Sequence, residues 1–264
     1  MSGADLAPIR YHGKDRQVSW CGVSMVDNAE FDMFMTNNVA ARLHDDEGTT
    51  EFKNHLMGLA STGFGRNSLN EILEAEVPEE RDWAIGESLA ESFLSQEQKI
   101  IWPWNMERDK RHPSASLSGA DLVGFELDGE NVHIALGEVK TSTDVNTPPG
   151  VMNGRSGMTH QIDNLATDLS LVFQLLKWLW PRCKGTVHEK HFDIAVGFYL
   201  ESSNKAVALF GILIRDTNPN ELDLKARGHT LAGILQIPTT CRLIAIYLPC
   251  AIADLPKRVA GGAP

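Results

Sequence analysis

Asp121-Leu122-Val123-Gly124-Phe125-Glu126-Leu127 and, shortly after it, His133-Ile134-Ala135-Leu136-Gly137-Glu138-Val139-Lys140-Thr141 decide how the chain is read. Both stretches read as strands, and the turn-forming Asp128-Gly129-Glu130-Asn131 between them predicts a hairpin. Alternate side chains of a strand share a face, so Glu138 and Lys140 project together while Val139 points the other way. Asp121, at the start of the first arm, adds a second carboxylate if the register allows. Two hard oxygen ligands at one spot suit Mg²⁺ or Mn²⁺, which keep several waters and take up phosphate oxygens. The chemistry that fits is phosphodiester hydrolysis: the metal activates water and offsets phosphate charge, and Lys140 orients the water or the phosphate.

Outward from the hairpin, EERDWAIGESLAESFLSQ after Pro78 predicts a helix with proline in its first turn and acids at its positive end. On a helical wheel Glu87 falls on the arc of Trp83, Ala90 and Leu94, with Glu91 towards its edge. An inward carboxylate is costly unless paired or used, which makes Glu87 a candidate outer metal ligand. After the hairpin, a loop rich in Pro and Gly leads to THQIDNLATDLSLVFQLLKWLW, a long helix stopped by Pro181, with Gln161 in its first turn facing metal-bound water or phosphate. DIAVGFYL, AVALFGILI and CRLIAIYL then read as strands covered on both faces. The expected fold is α/β, a mixed central sheet flanked by helices. Residues 1–75 form a smaller N-terminal region available for docking a partner, 76–255 the core and 256–264 a tail. Within the first region, Ser68-Leu69-Asn70-Glu71 has capping-box spacing and should start a short helix. Gly63-Phe64-Gly65-Arg66 lacks the GK[ST] ending of a phosphate loop and reads as a turn.

At 264 residues, 42% of them hydrophobic, the chain can bury a full core. It has no run long enough to cross a bilayer, and MSGADLAPIRYHGKD lacks the apolar centre of a signal peptide, so a cytoplasmic protein without a membrane partner is expected. Cys21, Cys183, Cys241 and Cys250 have no CxxC spacing and read as reduced packing residues. A net charge of −11 excludes a broadly basic nucleic-acid surface. Binding DNA therefore calls for a local basic patch, a charge-offsetting metal or a partner that delivers the DNA. Arg108, Lys110, Arg111 and Arg155 flank the site in sequence and could provide the patch.

A D…ExK spacing also arises by accident, and a Glu-Lys pair on a strand is commonly a surface ion pair. What favours a site is the combination: charges ending an apolar strand, a hairpin before them, and an upstream helix with an inward carboxylate. His188 and His191, near Cys183, do not make a zincin HExxH and read as exposed loop residues. His112 and His160 lie nearer the site in sequence and read as structural unless they touch phosphate. Trp102, Trp104, Trp178 and Trp180 read as core packing rather than base-stacking platforms.

Gly119-Ala120-Asp121-Leu122-Val123-Gly124-Phe125 and Gly137-Glu138-Val139-Lys140-Thr141-Ser142, with the upstream Gly86-Glu87 helix, resemble the motif strands of restriction-endonuclease-like PD-(D/E)xK nucleases. Chain length, the central motif and the strand-rich tail resemble, more narrowly, the HamA nuclease subunits of Hachiman anti-phage defence. That resemblance implies a DNA-degrading effector restrained by a superfamily 2 helicase, with Asp121, Glu138 and Lys140 in the catalytic roles. Ala120-Asp121 stands where the superfamily has Pro-Asp, and Leu165 replaces the tyrosine of the Gln-x-x-x-Tyr helix motif that Gln161 would begin. An RNase or a structure-specific repair nuclease would share the fold and the metal site. A non-catalytic docking subunit would share the fold alone.

Overall fold

The computed structural model describes residues 6–74, 82–109, 119–129 and 131–261. Strands β1 (Ile9–Asp15) and β2 (Val18–Ser24) open the chain, followed by α1 (Ala29–Met33), a π-helical turn and α2 (Ala40–His44). Next come α3 (Asp46–Leu59), α4 (Gly63–Glu74), α5 (Asp82–Gln98), β3 (Ile100–Ile101) and α6 (Met106–Asp109). The predicted hairpin is β4 (Leu122–Asp128) and β5 (Asn131–Ser142), and α7 (Met158–Thr167), α8 (Leu169–Cys183) and α9 (Glu189–Glu201) follow it. Strand β6 (Val207–Arg215), α10 (Lys225–Ile234), β7 (Thr240–Tyr247) and α11 (Leu255–Val259) complete the fold.

All seven strands form one mixed sheet in the order β1-β2-β7-β6-β5-β4-β3. The four central strands β2, β7, β6 and β5 run parallel, and antiparallel pairs close both edges. Every residue of β6 is buried, as its unbroken apolar sequence requires of a strand covered on both faces. Helices α7, α8, α9 and α10 cover one face, over Ile134, Leu136, Leu209 and Leu243. The other face, with Ala135, Val139, Phe210 and Ile212, is covered by α1, the π turn, α2, α5 and α11.

Several local expectations are overturned. DIAVGFYL is the body of α9, not a strand: Ala195 and Tyr199, one helical turn apart, are buried, whereas Ile194, Phe198 and Leu200 are exposed. A short apolar run has no period that separates helix from strand, and the single sheet-facing stripe decides it. The long helix is two helices, because the Asp168 carboxylate caps α8 by accepting from Ser170 N and Leu171 N. Pro181 does not stop α8; it costs one backbone bond, and Lys184 N still donates to Trp180 O at 2.9 Å. Gly63 to Arg66 belong to α4 rather than to a turn, since the Thr62 hydroxyl accepts from Gly65 N at 3.0 Å and starts the helix ahead of Ser68. Pro78 lies outside the described residues.

Residue 75 does not mark a break in the architecture. Strands β1 and β2 belong to the central sheet, and Phe31, Phe34, Met35 and Val39 lie in the core beneath it. Residues 256–259, expected in a tail, belong to α11, where Arg258 is buried and paired with Asp27 and Asp32. Among the described residues no helix is long and apolar enough to cross a membrane.

The inward carboxylate of α5 is Glu91. It is buried against Arg42 of α2, whose guanidinium also donates to Trp104 O. Glu87 is half-buried one turn earlier. Because α5 is buried almost all round, its wheel cannot rank the two acids; the position of Arg42 does. Arg42→Ala should cost about 3–5 kcal/mol in urea unfolding by leaving a buried charge unpaired, and adding Glu91→Gln should restore part of it. Equal stability of the wild type and Arg42→Ala would show that the pair carries no net stabilisation.

Candidate active site

The hairpin register sets Leu122 opposite Gly137, which carries Asp121 to the position across from Glu138. Asp121 N donates to Gly137 O at 3.1 Å, and the Asp121 carboxylate accepts from Val139 N at 2.9 Å. The side chain is therefore fixed by the backbone of the strand that carries its neighbour. Glu138 is buried, and Lys140, two residues on and on the same face, donates to its Oε1 at 2.5 Å. In β6, Gly211 lies beside Glu138, and a Cβ there would meet Ile162 Cδ1 at 2.6 Å and Met158 Sδ at 3.0 Å. The missing side chain lets the first turns of α7 settle directly beside the carboxylates.

The electrostatics of this spot are unfavourable. Burial, together with the neighbouring Asp121 carboxylate, pushes Glu138 up to about 7 against the pull of the Lys140 ammonium. Burial also raises Asp121, against the Val139 N–H and Lys140. A buried acidic pair of this kind is what a divalent cation relieves, so the donor set fits Mg²⁺ or Mn²⁺ with water and substrate supplying the other oxygens. Strained titrations of this type concentrate at functional sites.

Of the five residues singled out from sequence, Asp121, Glu138 and Lys140 come together. Glu87 is half-buried on α5, and among the described residues no group of three His, Cys, Asp or Glu is placed to hold a metal. Helix α5 packs at Gly86 against Thr141, which projects with Val139 from the face opposite Glu138 and Lys140. Gln161 does lie on α7, above the correct face, and its amide donates to Arg155 O at 3.2 Å.

The other sequence candidates sort as follows. Arg108 lies beside Asp45 at 3.5 Å and is not held for phosphate, while Lys110, Arg111 and His112 fall outside the described residues. His188 and His191 are not exposed loop residues; they flank and enter α9, with both Nδ1 atoms buried and without a hydrogen-bond partner among the described residues. Burial, then His191 and Arg108, hold His188 below its ordinary value. The tryptophans pack as expected: Trp104 Nε1 donates to Val123 O at 2.6 Å, Trp104 meets Trp178 edge-on, and Trp180 lies against Phe192.

A cavity of about 770 Å³ opens among Arg42, Asp45, Glu91, Arg108, Arg182 and His188, and neither member of the acidic pair lines it. Each of its arginines already faces a carboxylate, Arg42 with Glu91, Arg108 with Asp45 and Arg182 with Asp109. Size alone therefore does not make it the reactive centre; the unrelieved charge at Asp121 and Glu138 is the stronger chemical signal. The sequence does not betray Glu91 with Arg42, because the partners are 49 positions apart. Comparison with protein-family models and with curated proteins gives no match.

Because the folded state raises Glu138 above its unfolded value, protonation stabilises the fold, and this gain is lost as pH rises through about 7. The unfolding midpoint of the metal-free protein should rise as pH falls from about 8 to about 5. Glu138→Gln should raise the midpoint at the upper pH and flatten the profile. Added Mg²⁺ should raise the wild-type midpoint more than that of the variant. Identical profiles for the two proteins would remove Glu138 as the titrating group.

Proposed function

We propose that the chain is a metal-dependent nuclease of the PD-(D/E)xK kind, hydrolysing DNA phosphodiester bonds with little regard to sequence. The observation that carries the reading is the buried Asp121 and Glu138 pair beside Lys140, at one end of an apolar hairpin. Asp121 and Glu138 would hold Mg²⁺ or Mn²⁺. The bound cation would supply positive charge for the scissile phosphate and ease deprotonation of an attacking water. The Lys140 ammonium, partly exposed beside Glu138 Oε1, is within reach of a phosphate oxygen or that water and would hold it in line. Val139 N–H keeps the Asp121 carboxylate turned towards Glu138, so the acidic pair exists before substrate arrives.

The resemblance to the HamA subunits of Hachiman defence adds a partner, a superfamily 2 helicase that would deliver DNA to this effector in the cytoplasm. Two features support a partner. The net charge of −11 leaves little electrostatic capture of DNA to the chain alone, and α3 and α4 expose Phe52, Met57, Leu59, Phe64 and Ile72. The same acidic pair could serve RNA cleavage, so the substrate is assigned by assay.

Supercoiled plasmid, linear duplex and single-stranded RNA would be incubated with Mg²⁺ or EDTA, alone and with such a helicase. Loss of DNA that requires Mg²⁺ and falls by at least about 100-fold in Glu138→Ala/Lys140→Ala is the expected result. Preferential loss of RNA would move the assignment to an RNase. Equal cleavage by the variant, or none under any condition, would leave the docking role of the fold in its place.

A further inference from the structure

We infer that a hollow at the start of α7 is a separate subsite for a backbone phosphate flanking the reacting one, so that the protein selects polynucleotide over small diesters; this rests on the reaction proposed at Asp121, Glu138 and Lys140. The hollow, about 330 Å³, is lined by Asn153, Gly154, Arg155, Thr159, His160 and Asp163. Its chemistry favours an anion. Arg155 and His160 are exposed, and Arg155 forms no ion pair with a described carboxylate, whereas Arg42, Arg182, Arg215, Arg227, Arg242 and Arg258 all do. The carboxylate lining the hollow, Asp163, is already bound by the buried Arg227 at 2.6 Å, and Arg227 also donates to Thr159 O at 2.8 Å. The hollow therefore presents the Arg155 cation, an amide, a hydroxyl and an imidazole against a neutralised acid.

Position makes the link to the acidic pair. Met158 and Ile162, on the turns of α7 that carry Thr159, His160 and Asp163, close over Gly211 beside Glu138. Gln161, between them, holds Arg155 O and so ties the cationic loop to the helix. A polynucleotide cleaved at Asp121 and Glu138 that passes over the start of α7 would meet Arg155 and His160 with another of its phosphates. Arg155 and His160 are then contact residues for the polymer and take no part in bond breaking.

The test is binding of a short duplex oligonucleotide in Ca²⁺, read by fluorescence anisotropy across a salt series, for wild type, Arg155→Ala, Arg155→Lys and His160→Ala. Hydrolysis of bis(p-nitrophenyl) phosphate and of plasmid in Mg²⁺ is measured beside it. Arg155→Ala should weaken duplex binding about tenfold and lower the salt slope by about one, with Arg155→Lys restoring most of the slope. The same variant should raise KM for plasmid and leave the small diester unchanged. Unchanged duplex binding and slope in Arg155→Ala, or an equal loss on plasmid and small diester, would overturn the subsite. Cleavage of neither substrate by wild type would reject the proposed reaction, and the salt slope would still decide whether this hollow binds phosphate.

Discussion

The pairing of β4 with β5 is the constraint on which the rest of the molecule depends. Its register puts Asp121 across from Glu138, and a slip of one residue would turn one carboxylate to the opposite face and expose the apolar set of the strand. Two local bonds resist that slip, Asp121 N to Gly137 O and Val139 N to the Asp121 carboxylate. Strand β5 is also where the sheet changes from antiparallel to parallel pairing. Its even-numbered residues meet α7 and α9, and Val139 and Thr141 meet α5, so both helical layers are indexed on the strand that bears the charges.

A second set of interactions holds the connection between β5 and α7. Arg215, at the end of β6, is buried with Asp223 and donates to Asp144 O and Asn146 O. Tyr247 donates to Asp223 and meets the hydroxyl of Tyr11, which extends the network to the far edge of the sheet. A buried arginine is tolerable when most of its donors are used, and here Nη1 goes to Asp223 and Nη2 to the loop that delivers α7 to the acidic pair. The Asp144 carboxylate adds its own turn by accepting from Asn146 N and Gly150 N. The loop that leads to Arg155 and Gln161 is thus held by Arg215 at the end of β6, whose partner Asp223 is in turn bound by Tyr247 at the end of β7.

The chain spends several of its arginines on internal pairing. Arg42, Arg182, Arg227, Arg242 and Arg258 are each matched to carboxylates; the Arg242 pair joins β7 to β4 within the sheet, and the others fix helices to one another. At Asp121 and Glu138 the balance runs the other way, with two acids against one ammonium in a buried place. Stability would be served by neutralising that spot. That unrelieved charge is the ground on which we propose the spot as the place of the chemistry.

What the sequence determined by itself was whatever depends on a period or on a short turn. The hairpin followed from strand-forming arms around Asp128-Gly129, the shared face of Glu138 and Lys140 from the two-residue period, and β6 and β7 from unbroken apolar runs. Only the tertiary structure decided the remainder. It made DIAVGFYL a helix because a single stripe of it meets the sheet, and it split the long helix where Asp168 found two backbone donors. It chose Glu91 over Glu87 because Arg42 arrives from 49 residues upstream, and it drew β1 and β2 into the sheet because Val18 pairs with Cys241. Each of these outcomes rests on a partner distant in sequence, and a local pattern holds no information about where a distant partner will lie.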